Sequence, residues 1–141
     1  MSQSRILVAV STPWASERLL TMVQNLARRL DAAVIVAHVS KAGEQDETES
    51  EIRTRARETL ATMTSRLAEA NVAAEGLLLY GADVARAILN AAESQNATLL
   101  VLGLPVKTGI ARFFSTDVPR TILRNCPLPV LTCPPDWSGT I

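Results

Sequence analysis

The stretch Asp83-Val84-Ala85-Arg86-Ala87-Ile88-Leu89-Asn90-Ala91-Ala92-Glu93-Ser94-Gln95-Asn96-Ala97-Thr98-Leu99-Leu100-Val101-Leu102-Gly103 decides the fold class. Asp83 is a helix cap, because its carboxylate can accept from the free N–H groups of a first turn. Val84, Ala87, Ile88 and Ala91 then recur at helical spacing and give one apolar stripe. The segment from Thr98 to Leu104 is apolar without alternation, the signature of a strand covered on both faces. A helix running into a doubly covered strand is half of a βαβ crossover.

Outward from this unit the same alternation continues. Ile6-Leu7-Val8-Ala9-Val10 and Ala33-Val34-Ile35-Val36-Ala37-His38-Val39 are two more apolar runs, and a further strand lies within Val72 to Tyr80, ending at Gly81. Between the first two, Thr12 and Pro13 open a helix in which Leu19, Met22, Val23, Leu26 and Leu30 share a face. Ser40 to Glu51 is polar and acidic. Ile52, Ala56, Leu60, Met63, Leu67 and Ala70 then mark a long second helix. After the fourth strand comes a loop with Pro105, Lys107 and Gly109. A short helix from Val118 to Arg124 has Asp117 at its start, and the strand Pro129 to Cys133 closes the pattern. The order β-α-β-α-β-α-β-α-β requires a parallel sheet with helices on both faces. Ligands of such sheets bind outside the carboxyl ends of the strands, where strand order reverses. That directs attention to the loops after Val10, Val39 and Leu102.

Composition narrows the function classes. The chain has 141 residues, 48% of them hydrophobic and 20% charged, which suits one domain over 1–141. Lys+Arg and Asp+Glu are 14 each, so no net field draws the protein to nucleic acid. Aromatics at 4% are too few for a nucleic-acid stacking platform. No apolar run approaches the roughly 20 residues of a membrane helix, so no direct membrane insertion is expected. A cytoplasmic setting with reduced thiols is expected for Cys126 and Cys133, which lack C-x-x-C spacing. His38 is the sole histidine and lies in an apolar strand, so it reads as a packing residue and not as part of a nucleophilic triad. Acidic residues do not cluster after the first strand, where Ser11 and Thr12 stand, and this argues against a phosphorelay receiver. The hydroxyl-rich loop at Ser11 to Ser16 with Trp14 gives only weak grounds for a flavin site.

The segment Tyr80-Gly81-Ala82-Asp83 through Leu102-Gly103 resembles the universal stress protein family. So do the tail Val118-Pro119-Arg120 through Cys126-Pro127-Leu128-Pro129-Val130-Leu131 and the strands Ile6 to Val10 and His38-Val39. The resemblance covers about residues 5 to 134. It implies a flavodoxin-like, HUP-type doubly wound sheet of five strands in the order 3-2-1-4-5, and a homodimer. Pairing through the last strand, with Val130 and Leu131 in the contact and the tail around Trp137 over it, is the expected geometry. Some members of the family bind ATP or another adenine nucleotide. Their pattern is an Asp closing the first strand, then Gly-x2-Gly-x9-Gly-Ser/Thr after the fourth. Glycines admit the backbone to the phosphates, and N–H groups at a helix start face them.

Here Gly103 fills the first glycine position, and Lys107 and Thr108 are the basic and hydroxyl residues that follow. Val106 stands at the second glycine, Thr116 at the third, Asp117 at the Ser/Thr, and Ser11 at the Asp. A carboxylate at the helix start competes with phosphate for the same N–H groups. Two unit charges about 4 Å apart interact by roughly 1 kcal/mol in water and about 4 kcal/mol at an effective dielectric of 20. The resemblance therefore implies a regulatory or interaction module, non-catalytic, with weak or absent ATP binding and a protein partner such as a transporter or a stress pathway. The alternative is an adenine-nucleotide sensor. Its ligand would be held by the backbones of Val10 and Val39 and by Gly103, Lys107 and Thr108. No metal site is expected.

Overall fold

The computed structural model describes residues 3–10, 13–40, 49–104, 117–134, 137, 139 and 141. Strands and helices alternate as β1 (Arg5–Val10), α1 (Pro13–Leu30), β2 (Ala33–Ser40), α2 (Glu49–Glu69), β3 (Ala74–Tyr80), α3 (Val84–Ser94), β4 (Leu99–Gly103), α4 (Asp117–Asn125) and β5 (Val130–Cys133). All pairings are parallel, and the five-stranded sheet has the order β3-β2-β1-β4-β5. This is the expected 3-2-1-4-5 arrangement. Several element ends differ by a residue, and the start of the second helix differs by more. The long helix begins at Glu49 rather than near Ile52, so the end of the acidic segment is helical. The third strand, Ala74–Tyr80, lies within the expected Val72 to Tyr80, and Val72 itself is still bonded to the end of α2.

The unbroken apolar runs have the expected cause, since successive side chains of the inner strands enter two separate cores. Ile6, Val8, Val10, Val34, Val36 and Val101 face α1 and α2, where Leu20, Val23, Met63 and Leu67 cover them. Leu7, Ala9, Ile35, Ala37, Leu100 and Leu102 face α3 and α4, under Ile88, Ala92 and Ile122. Asp83 caps α3 as expected, with its carboxylate accepting the Arg86 N–H at 3.1 Å.

The amino ends of the strands are fastened by one motif used three times. Asp31, Asn71 and Asn96 have φ of 51°, 62° and 54° and stand after α1, α2 and α3. At each, the next residue donates to a carbonyl five residues back: Ala32 to Ala27, Val72 to Leu67, Ala97 to Ala92. The left-handed residue itself donates three back, to Arg28, Ala68 and Glu93. This pair of bonds is the Schellman ending of a helix. Arg5 adds a tie at the same edge. Its Nε donates to the Gln95 carbonyl at 2.9 Å, and its guanidinium meets Glu75 at 3.5 Å.

Candidate functional site

Val10, Val39 and Gly103 end up together at the opposite, carboxyl edge of the sheet. β1 lies between β2 and β4; the chain builds outward through β2 and β3 on one side of β1 and then crosses to β4 and β5 on the other, and this reversal is the switch point of the topology. The β1–β2 ladder ends at Val10↔His38 and the β1–β4 ladder at Ala9↔Leu102. Val39 and Gly103 therefore each stand one residue beyond the last pairing with β1. They remain paired on their other sides, with Leu79 and Cys133. Their backbone edges border the crevice over β1. The side chains of Val10 and Val39 are buried, so the main chain is what these two residues can offer a ligand.

Gly103 lies outside the left-handed region of φ. A Cβ there would stand 3.4 Å from Cδ2 of Leu19, an ordinary contact with the end of a side chain. Neither backbone strain nor crowding in the described structure calls for glycine at this position. Lys107 and Thr108 lie outside the described residues, as do Ser11, Val106 and Thr116. Asp117 is the first residue of α4, a nine-residue helix. It stands in the turn whose N–H groups have no partner within the helix.

Other residues singled out in the sequence resolve into structural roles. His38 is half-buried on the α1–α2 side of β2 and is engaged in contacts of its own. Cys133 is buried, and burial raises its thiol pKa above the ordinary value, so it is a poor nucleophile. Cys126 is half-buried against the α3–α4 core. Among the described residues no group of three or more His, Cys, Asp or Glu gathers as metal ligands. No described helix is long and apolar enough to cross a membrane. A groove of about 550 Å³ runs between α3 and α4, over Leu89 and Leu128 and between Arg86 and Asn125. A smaller cleft of about 290 Å³ separates α1 from α2, where Glu17 and Arg66 pair at 3.2 Å.

Periodicity did not single out one feature of the carboxyl edge. Tyr80, the last residue of β3, is 51% exposed, and the guanidinium carbon of Arg53 lies 5.7 Å from its ring centroid. The available signal was the chain's only tyrosine placed directly before Gly81 at a strand end.

A parallel sheet of this order, with the ends of β2 and β4 continuing one residue past their pairing with β1, defines a flavodoxin-like α/β fold. Residues 3–134 match the universal stress protein family, and the chain belongs to that family. A universal stress protein from Archaeoglobus fulgidus is 26% identical, with a TM-score of 0.72 over 92% of each chain. A universal stress protein from the same organism in complex with dAMP is 25% identical, with a TM-score of 0.69 over 94% of this chain and 98% of that one. A family member from Burkholderia pseudomallei shares the fold at 24% identity, with a TM-score of 0.76 over 94% of this chain and 96% of that one. No curated protein matches the chain.

Proposed function

We propose that this universal stress protein is a non-catalytic regulatory or interaction module, a single domain over 1–141, whose nucleotide crevice is degenerate at its phosphate end. The observation that carries this reading is Asp117 at the first position of α4. Anions gain from a helix start because its N–H groups and dipole face them. A carboxylate at such a position competes for those donors and repels a second anion. Val106 and Thr116 replace two glycines of the phosphate-binding pattern, and Ser11 replaces the Asp of the first strand. The nucleoside end depends on backbone groups of Val10 and Val39, which these substitutions leave in place. The module acts as a homodimer joined through the β5 edge, in contact with a protein partner in the cytoplasm.

A second reading is an adenine-nucleotide sensor in which Gly103, Lys107 and Thr108 hold phosphate. The related protein from Archaeoglobus fulgidus in complex with dAMP favours it. Calorimetry with ATP, AMP and cyclic AMP separates the two, together with mass spectrometry of any ligand retained through purification. The first reading expects no ATP binding below the millimolar range. It also expects the triple variant Val106→Gly, Thr116→Gly, Asp117→Ser to gain about five- to several-hundred-fold in ATP affinity, the range that follows from the repulsion of about 1–4 kcal/mol. Micromolar ATP binding by the unaltered chain, or a triple variant indistinguishable from it, contradicts this reading.

A further inference from the structure

Two charges of α3 stand against their own helix. Arg86 lies in the first turn of Val84–Ser94 and Glu93 in the last, and that helix has no acidic residue in its first turn and no basic one in its last. A helix start carries partial positive charge and a helix end partial negative charge, so the backbone of α3 disfavours both side chains where they are. Both are exposed, and neither has a side-chain partner among the described residues. The bond from Arg86 to Asp83 uses the backbone N–H of Arg86.

Asn90 lies between the two, one turn from each, and it is exposed as well. This row stands opposite the core side of α3, where Ala85, Ile88 and Ala92 are buried. Leu89 is half-buried beside the row and, with Leu128, lines the groove of about 550 Å³ between α3 and α4. The surface is thus a ridge of polar side chains next to a groove with apolar residues in its lining, the relief by which one helix packs on another.

Arg86 and Glu93 are seven residues apart, two turns and roughly 10 Å along the axis. Their midpoint falls between Leu89 and Asn90. A second α3 laid antiparallel about a two-fold axis through that midpoint brings Glu93 of the partner subunit opposite Arg86, and Arg86 of the partner subunit opposite Glu93. The row is therefore its own complement, as a two-fold contact requires. The dipole effect changes sign in the same arrangement. Each Arg86 lies beside the end of the other helix and each Glu93 beside its start, where those charges are favoured. A partner of a single charge, or a helix laid parallel, satisfies only one of the two residues.

We propose that α3 is a self-association surface, on which a second copy of this chain docks with its α3 antiparallel and the Arg86–Glu93 pair is made twice. The inference depends neither on the crevice nor on pairing through β5, because α3 covers a face of the sheet and β5 is a lateral edge. Exposed ion pairs are individually weak, so the contact is a reversible one with a Kd of about 1 mM, formed above the micromolar range. A chain with two different two-fold contacts assembles beyond a dimer.

The test measures rotational correlation times by NMR and sedimentation equilibrium on the full chain carrying Leu131→Lys, up to about 1 mM protein and at about 0.01 M salt, where charges are little screened. A monomer–dimer equilibrium is expected. Arg86→Glu and Glu93→Arg, each of which sets like charges opposite one another twice, are each expected to weaken it about tenfold or more. Either change suits the dipole of α3, so the helix itself is not weakened. An equimolar mixture of the two single variants is expected to associate again as a heterodimer, within about threefold of the starting Kd, and so is the double variant Arg86→Glu, Glu93→Arg. The same series on chains that keep Leu131 reads association beyond the β5 dimer, and is expected to follow the same order. A chain that stays monomeric at 1 mM with Leu131→Lys and gains no larger species with Leu131 overturns the proposal. Single variants that associate like their parent, or a mixture that stays apart, overturn it too.

Discussion

Two glycines in strands show how one residue type takes two meanings. At Gly76 a Cβ would come within 3.2 Å of Cβ of Leu60, a rigid part of α2, so glycine there lets α2 approach the edge strand. At Gly103 a Cβ would meet only the end of Leu19 at 3.4 Å. Gly76→Ala is therefore expected to destabilise by about 1–3 kcal/mol in urea denaturation, as overpacking at a close helix–strand contact does. Gly103→Ala is expected to stay within about 1 kcal/mol of the unaltered chain, because a flexible side-chain end can give way. Equal losses at both positions would show that Gly103 also has a packing role. The sequence reading treated Gly103 as a possible ligand contact and did not single out Gly76. The difference between them depends on which atoms of α1 and α2 lie opposite, and no local pattern in the sequence encodes that.

At the scale of elements, the helix endings carry much of the register. Asp31, Asn71 and Asn96 hold left-handed backbone that an Ala adopts at a cost of roughly 1–2 kcal/mol and a Gly adopts freely. Asn96→Ala is expected to destabilise by about 1 kcal/mol, whereas Asn96→Gly is expected to be neutral or slightly stabilising. Thermal unfolding of the two variants checks the sign of each. Opposite behaviour would mean that the Asn side chain, not its φ, matters at this turn. The existence and type of the nine elements among the described residues were legible from hydrophobic spacing, because inner strands with two covered faces and helices with one leave different periods. The turns were not legible as repeats. Asp and Asn, unlike Gly, are common at caps and loops of several kinds.

At the scale of the whole molecule, the two edges of the sheet divide the work. The amino edge is closed by three Schellman endings and by Arg5, while the carboxyl edge gathers Val10, Val39, Gly103 and Tyr80. The lateral edges are β3 and β5, and an open edge is a template for pairing with a second chain. Val130 and Leu131 are half-buried on β5. Trp137 is 41% exposed just beyond it, and its backbone N–H donates to the Pro134 carbonyl at 3.2 Å. Gly139 lies so close to the Trp137 ring that a Cβ would come within 2.7 Å, so this part of the tail folds on itself. Sedimentation velocity across the micromolar range is expected to show a dimer, and Leu131→Lys is expected to shift it to monomer, because a charge in a two-fold contact faces its own copy. A monomer for the unaltered chain would contradict pairing through β5.

The sequence by itself determined the parallel sheet, which follows from the periods of apolar residues, and its collinear segments carried the family resemblance that implied the strand order. It also placed Asp117 at a helix start and displayed the departures from the phosphate-binding pattern. Only the tertiary structure brought Val10, Val39 and Gly103 to one edge in register, distinguished Gly76 from Gly103, and set Arg53 over Tyr80. Period and spacing act along the chain over a few residues. Register, close approach and ring contact join residues tens of positions apart, and only the packed sheet and its helices fix which of them meet.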